Sequence, residues 1–351
     1  MRILVNGGGP AGMAFAMFAA RSGRGDEITV RDWTGPGDTY GFGVILPPAA
    51  VEVFRDAEPD LADELNSHIT AWDRLSVHRH GRTASIPAPR LGAMDRRTLL
   101  KVLRRRCAER GVRFEHGAVD PALGDHDLVV AADGARSVTR RHRAAAFGTT
   151  TREIGPAYIW LGADRALEHL RFLVAETPDG PAVAHAYPYS PDRSTFLVEA
   201  DGAPPPAVLA EWFAGPLGGA RLLENRSRWS RFQEIHNRTW SAGNVVLIGD
   251  AAHTAHYSIG SGTRLALDDA RALADALCAQ PRLADALKGY EDARRPIVEH
   301  TQRIGRLSAT WFTRLPDVPM ERLLDDLATR GGQISWRDLA TEGSGAVPVR
   351  G

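Results

Sequence analysis

The sequence predicts an α/β fold in which a domain of parallel strands and helices is interrupted by a mostly antiparallel sheet and followed by C-terminal helices. Three features predict it. First, the short apolar strand Ile3-Leu4-Val5 runs straight into Gly7-Gly8-Gly9-Pro10-Ala11-Gly12 and then into the small-residue run Met13 to Ala20, the strand, glycine turn and helix of a Rossmann-like dinucleotide-binding unit. Second, two further apolar strands end on an acid and a glycine: Leu128 to Ala131 before Asp133-Gly134, and Val245 to Ile248 before Gly249-Asp250. Third, from Tyr158 to Glu199 the pattern changes to short runs such as Arg171-Phe172-Leu173-Val174 and Ser194 to Glu199, separated by Pro and Gly turns, which reads as hairpins of a separate sheet.

In the opening unit Gly7 permits the tight turn, Gly9 lets the backbone approach a pyrophosphate, and Gly12 lets helix and strand pack closely. The second strand, Ile28-Thr29-Val30, ends at Asp32, 25 residues after Gly7 and near the spacing of a ribose-binding carboxylate. A Gly/Pro-rich loop from Gly35 to Pro48 leads to a helix expected over Ala49 to Leu65, and alternating strands follow from about Ala71 to Ile86. Met94 to Leu100 opens a helix reaching Arg110, whose Leu99, Leu100, Val102 and Leu103 have helical spacing. Its Arg104-Arg105-Arg106 cluster reads mostly as a solvated face. After Asp133-Gly134, Ser137 is placed to cap a short helix. After Gly249-Asp250 the chain passes through Gly260 and Gly262 and becomes helical from Thr263. A helix start supplies unpaired N–H groups and partial positive charge, so a polyhydroxylated, partly anionic ligand is expected there. Helices continue from Asp268 to about Leu315, and the tail with Gly331-Gly332 and Gly343 to Gly351 is turn-rich. The expected division is 1–70, 92–150 and 242–290 for the nucleotide-binding domain, 71–91 and 151–241 for the inserted sheet, and 291–351 for C-terminal helices and tail.

Composition frames the function without naming it. At 351 residues and 43% hydrophobic, the chain can bury one large core or two smaller ones. Its 43 basic and 43 acidic residues balance, so charge suggests neither a nucleic-acid nor an anionic-membrane partner. Cys107 and Cys278 lie in helical patterns without metal-ligand spacing, as in a reduced, cytoplasmic protein; no metal site is expected. No run reaches membrane-spanning length and no signal segment precedes the first strand.

Together GGGPAG, the segment Asp133-Gly134-Ala135-Arg136-Ser137-Val138-Thr139-Arg140 and the segment Gly249-Asp250-Ala251-Ala252-His253 resemble the group A, single-component, FAD-dependent aromatic monooxygenases. Three more segments, Asp38 to Val44, Ala184 to Tyr189 and His253 to Thr263, are similar to one branch of them. That branch holds the salicylyl-CoA 5-hydroxylases, the anthraniloyl-CoA monooxygenases and a violacein-pathway indole hydroxylase. The wider group usually has two prolines where this chain has His256-Tyr257, an asparagine where it has Arg264, and an FAD-contacting arginine where it has Gly41. The resemblance implies a glutathione-reductase-type FAD-binding domain with the inserted sheet as substrate domain. It implies FAD contacts at Gly7, Gly9, Pro10, Ala11, Gly12, Asp32, Arg96, Asp133, Gly249, Asp250, Gly260, Gly262, Thr263 and Arg264.

With one GxGxxG in the sequence, FAD is expected to stay bound while NADH or NADPH visits briefly. The resemblance implies hydroxylation of an electron-rich ring by a flavin C4a-hydroperoxide formed with O₂, the protein supplying a dry cavity and support for negative charge. Candidates to line that cavity are Tyr40, Phe42, Trp160, His185, Tyr187, Tyr189, His256 and Tyr257, each with core packing as its alternative. His185 and His256 are either proton acceptors or satisfied structural histidines, Tyr257 is a further catalytic candidate, and His253 reads as holding its loop. The implied substrate is an anthraniloyl or salicylyl thioester, on CoA or a carrier protein, or an indole-derived intermediate of natural-product biosynthesis, with a monomer or homodimer expected. Two other classes stay open: an NAD-dependent dehydrogenase using the single Rossmann unit, and a flavin-binding protein that does not hydroxylate.

Overall fold

The computed structural model describes residues 1–34, 41–118 and 125–319, together with 322, 323 and 327. Tyr40, with Asp38 and Thr39 of the same segment, and the glycine-rich tail lie outside the described residues.

The first sheet has six strands in the order Ser241–Ala242, Val245–Leu247, Leu128–Ala131, Arg2–Asn6, Glu27–Asp32 and Arg113–His116. All neighbours pair in parallel except the short edge pair Ser241↔Val246 and Ala242↔Val245. Leu128, Val129, Val130 and Ala131 are all buried, as continuous apolar strands must be when helices cover both faces of a parallel sheet. The helix Pro10–Arg21 is buried along nearly its whole length, with Phe15, Ala16 and Met17 inaccessible, because it is wedged between the helices Arg96–Glu109 and Gly262–Ala279. Burying Phe15 alone contributes about 1.5–3 kcal/mol.

The second sheet has nine strands and is mostly antiparallel. Its hairpins Leu170–Thr177 with Gly180–Ser190, and Gly180–Ser190 with Arg193–Glu199, turn through Pro178-Asp179 and Pro191-Asp192, residue types that preset such turns. Thr149–Ala163 flanks them, itself paired with Leu222–Leu223 and Ser230–Asn237. On the other side come Thr70–Arg79, Arg82–Asp95 and Gly43–Ile45. The last of these belongs to a stretch expected within the nucleotide-binding domain, yet it pairs Gly43 to Asp95 and so joins the second sheet.

The helix expected over Ala49 to Leu65 is two helices, Pro48–Val51 and Pro59–Ser67, with a tight turn at Glu52–Phe54 between them. Pro59 has no N–H and its ring would strike the carbonyl four residues back, so the helix restarts with Pro59 in its first turn. The C-terminal helix Leu283–Arg314 buries Tyr290, Val298, Gln302, Gly305, Ala309 and Phe312 along one face. Beyond it, Arg79 on the second sheet donates to the carbonyls of Leu315 (2.9 Å), Pro316 (2.5 Å) and Val318 (2.6 Å). Arg79→Met keeps the stem and removes these donors from a buried site; it is expected to lower stability by about 2 kcal/mol, read as a shift in urea midpoint.

Candidate active site

The strands of the parallel sheet release the chain at one edge, and the residues singled out there meet. Gly7 has φ +111°, and a Cβ on it would fall 2.3 Å from the Ala132 carbonyl oxygen, so the turn is pressed against the exit of the neighbouring strand. A Cβ on Gly12 would lie 2.1 Å from the Gly7 carbonyl oxygen and 3.0 Å from Val5 Cγ1. At Gly9 a Cβ would meet nothing within 4 Å; its outer side is open. Asp32 accepts from the Gly8 N–H through Oδ2 (2.6 Å) and from the Thr34 N–H and hydroxyl through Oδ1 (both 2.7 Å). Its carboxylate therefore fixes the glycine turn.

Asp133 and its neighbours work in the same manner. Asp133 Oδ2 accepts from the N–H groups of Val138 (2.8 Å) and Thr139 (3.2 Å), and Ser137 caps the following helix by accepting from the Arg140 N–H (2.9 Å). Asp133 Oδ1 is buried without a partner. Arg140 joins the two acid-and-glycine segments: its guanidinium donates to the Ala135 carbonyl (2.5 Å) and to those of Ala251 (2.8 Å) and Asp250 (3.4 Å).

The loop from Gly249 to His256 is held from every side. Asp269, wholly inaccessible, accepts from the Gly249 N–H (3.0 Å) and from His253 Nε2 (2.8 Å) through Oδ2, and from Arg294 Nε (2.8 Å) through Oδ1. Burial pushes this carboxyl up, but His253 and Arg294 outweigh it and hold it below the usual carboxylate range. His253 thus anchors the loop. Asn237 Nδ2 donates to the Ala252 carbonyl (2.5 Å), Gln302 Nε2 to the Thr254 carbonyl (3.0 Å), and Thr254 Oγ1 to the Gln233 carbonyl (2.6 Å).

These loops border a cavity of about 430 Å³. One end is polar: Gly9, Pro10, Ala11, Gly134, Arg96, Asp250, Gly260, Gly262 and Thr263 line it. The helices Pro10–Arg21 and Gly262–Ala279 both start here without a capping side chain or an acid in the first turn, so their unpaired N–H groups and positive ends converge. Asp250 faces the same space and, among the described residues, its carboxylate accepts no hydrogen bond. It is accessible, but to a cavity walled by protein rather than to bulk solvent; this burial raises its pKa, opposed by His253 and Arg96. An open glycine, two uncapped helix starts and an unpartnered carboxylate fit a pyrophosphate with a polyhydroxylated chain, as FAD carries. Gly249, with φ +57°, lies just behind, where a Cβ would come within 2.9 Å of the Ala11 Cβ. Arg264 is turned along its helix toward Asp268 (3.5 Å) and does not line the cavity.

The other end is aromatic, lined by Tyr158, Trp160, Phe172, His185, Tyr187, Phe232 and Tyr257. Tyr187 Oη donates to the Gly43 carbonyl (3.1 Å), while the buried Trp160 Nε1 has no hydrogen-bond partner among the described residues. Three expected lining residues are elsewhere. Phe42 packs against Gly162, and Tyr189 covers Gly43 past an irregularity in its strand between Pro188 and Ser190. His256 is wholly buried behind Tyr257, its Nδ1 held by Ser258 Oγ (2.9 Å) and its ring edge-on to Phe232. His256 does not line the cavity, and its Nε2 is buried without a hydrogen-bond partner among the described residues, while His185 keeps a face on the cavity. Composition and spacing gave no sign of Glu199: it sits in an apolar run and its relation to His185 depends on strand register.

Two family models match the chain: "FAD binding domain" over residues 219–304 and "Lycopene cyclase protein" over residues 2–171. A salicyloyl-CoA 5-hydroxylase from a Streptomyces species is 38% identical, across 97% of this chain and 72% of the relative. A protodeoxyviolaceinate monooxygenase from Chromobacterium violaceum is 30% identical across 89% of each chain. Among solved structures, 2-methyl-3-hydroxypyridine-5-carboxylic acid oxygenase shares the fold with a TM-score of 0.75 at 20% identity, covering 97% of this chain and 98% of its own.

His256 carries a pH dependence of its own. Burial lowers its pKa to about 4 from an ordinary value near 6.5, so the fold holds it neutral while the unfolded chain takes up a proton below 6.5. The contribution is complete above about pH 6.5 and is lost as pH falls toward 4. His256→Asn, which keeps an acceptor for Ser258, should lack it; its stability loss between pH 7 and pH 5 is expected to be about 2 kcal/mol smaller than that of the wild type, measured by denaturant unfolding.

Proposed function

The chain belongs to the single-component FAD-dependent aromatic monooxygenases, and on that premise we propose that it hydroxylates the ring of an anthraniloyl- or salicylyl-type thioester with NADH or NADPH and O₂ as co-substrates. Membership removes the NAD-dependent dehydrogenase that a single Rossmann unit left open. The observation that carries the reading is the continuity of the cavity: its polar end fits FAD, and its aromatic end, on the second sheet, lies beyond it. Bound FAD supplies the activation of O₂ with electrons from the nicotinamide.

The protein's own residues supply the rest. Gly9 leaves room for the pyrophosphate, Asp250 would accept from hydroxyls of the flavin's chain, Arg96 stands beside Asp250, and the amides of Gly260 to Thr263 would support negative charge on the flavin. Gly7, Gly12, Gly249, Asp32 and Asp133 act from behind by holding these loops. Tyr158, Phe172 and Tyr257 confine the substrate ring and exclude water. The unpartnered Trp160 N–H is a donor for an acyl carbonyl, and His185 is the proton acceptor for a ring hydroxyl or amino group. The thioester is favoured by the 38% identity to a hydroxylase of an acyl-CoA; an indole-derived substrate is the second reading, favoured by the relative of the violacein pathway. No helix among the described residues is long and apolar enough to cross a membrane, and both cysteines are free, which supports a cytoplasmic placement.

Two measurements test the assignment. Gly9→Val fills the open side of the turn without a clash inside the protein, so the variant should fold yet lose FAD. Asp250→Ala should weaken FAD binding about ten- to a hundredfold, the cost of one charge-assisted hydrogen bond; unchanged affinity by flavin fluorescence would remove Asp250 from the site. For the reaction, purified enzyme with FAD, NADH or NADPH and aryl-CoA thioesters should give products heavier by one oxygen, with the free acids poor substrates. Oxidation of the nicotinamide that yields peroxide alone for every aromatic tested would overturn the hydroxylase reading.

A further inference from the structure

Strand register brings His185 against a residue that the reaction as described above does not use. His185 pairs with Leu197 on the next strand, and Glu199 lies two residues on, so both side chains share one face; Tyr158, opposite Glu199, shares it too. Glu199 is 3% exposed, and its Oε1 stands 2.8 Å from His185 Nε2. The contact is close without the alignment of a hydrogen bond; among the described residues neither atom has another hydrogen-bond partner, and the Tyr257 hydroxyl also faces the carboxylate. Burial pushes the Glu199 carboxyl up, but His185 first, then His256 and the Tyr257 hydroxyl, together outweigh it and the group lies below the usual carboxylate range. His185 lines the cavity whereas Glu199 does not. With Nε2 buried against the carboxylate, the imidazole presents its Nδ1 side to the substrate space.

A structural role explains this pair poorly. Asp269 touches His253 at the same distance, but it also receives a backbone N–H and an arginine, and it holds a loop that would otherwise be loose. Glu199 and His185 sit in strands already fixed by their ladders, and no backbone group binds to Glu199. A buried carboxylate costs several kcal/mol unless paired, so an apolar residue would serve packing better. The groups facing the pair are Phe172 from the adjoining strand, Tyr158, His256 and Tyr257 from the loop, and Phe312 from the C-terminal helix. None is a lysine or an arginine, so Glu199 is the charge that His185 feels most directly.

We propose that Glu199 is the positioning residue for His185, orienting its Nε2–H and leaving Nδ1 to accept a proton from the hydroxyl or amino group of the bound aromatic ring. The proton moves from the ring's O–H or N–H to Nδ1, and its electron pair stays on the substrate, which becomes the more electron-rich form. Glu199 remains ionised and offsets the imidazolium. This inference rests on the proposed hydroxylation for its substrate, but the state of the imidazole does not.

The test uses the FAD-loaded enzyme. Glu199→Gln is nearly isosteric and should leave FAD affinity and KM for the substrate within about twofold while lowering kcat about 10²-fold, within the range for general base catalysis. The acid limb of its pH–rate profile should move to lower pH, as expected when an adjacent negative charge is removed. Glu199→Asp should recover part of kcat. In a His185→Gln background, Glu199→Gln should add nothing, because it acts through the histidine; independent losses would overturn the proposal. Should the variants fail to fold, ¹⁵N spectra of ring-labelled wild-type enzyme decide: Nε2 protonated and Nδ1 bare above the acid limb is expected, and the opposite tautomer overturns the pair. That measurement stands even where no thioester is hydroxylated, an outcome that would count against the substrate reading alone.

Discussion

The site depends on one buried carboxylate. Asp269 binds the Gly249 amide just beyond the strand Val245–Leu247, the imidazole of the same loop and the guanidinium of the C-terminal helix, so one loop and two helices meet on two oxygen atoms. Desolvating such a charge is costly, and removing one partner of a buried ion pair costs about 3–5 kcal/mol, because the other is stranded. What the pairing secures is position. With Gly249 and His253 fixed, Asp250 between them must face the cavity, and Arg140 closes the other side by gripping the Asp250 and Ala251 carbonyls. The flavin site proposed at this edge would thus be assembled from backbone held by charges that never touch the cofactor.

The same logic separates holding from binding among the residues noticed in the sequence. Asp32 and Asp133 end strands at the expected places, but both Asp32 oxygens are engaged by Gly8 and Thr34, and Asp133 Oδ2 by Val138 and Thr139. Gly12 and Gly249 make room for helices. Gly9, Asp250 and the starts of two helices are the parts with free valence toward the cavity. The motifs are compact in sequence because most of their members hold one another.

This explains how much was legible without coordinates. The glycine turn, the two acid-and-glycine strand ends and the hairpins were readable because each is set by local chemistry: a turn that only glycine fits, an apolar run buried on both faces, a Pro-Asp pair that reverses the chain. The aromatic end was read only in part. Trp160, His185, Tyr187 and Tyr257 reach the cavity, whereas Phe42, Tyr189 and His256 turn into the packing around it. Residue type does not say which face a side chain takes once a strand is irregular, as at Pro188 to Ser190, or once a loop folds over itself, as at His256. Glu199 was invisible for a related reason: its meaning lies in being diagonal to His185 across two strands, and register is a long-range property.

The division between the two ends of the cavity also bears on how such an enzyme changes over time. The walls of the aromatic end around His185, namely Tyr158, Trp160, Phe172 and Tyr187, project from strands whose backbones are secured by ladder hydrogen bonds with their neighbours. Exchanging one of these side chains reshapes the space for the substrate without disturbing Asp269 or the loops it anchors. The fold is in this sense modular for evolution: the chemistry of oxygen activation is inherited as one fixed block, while the choice of ring can drift by single substitutions on a scaffold that does not need to be rebuilt.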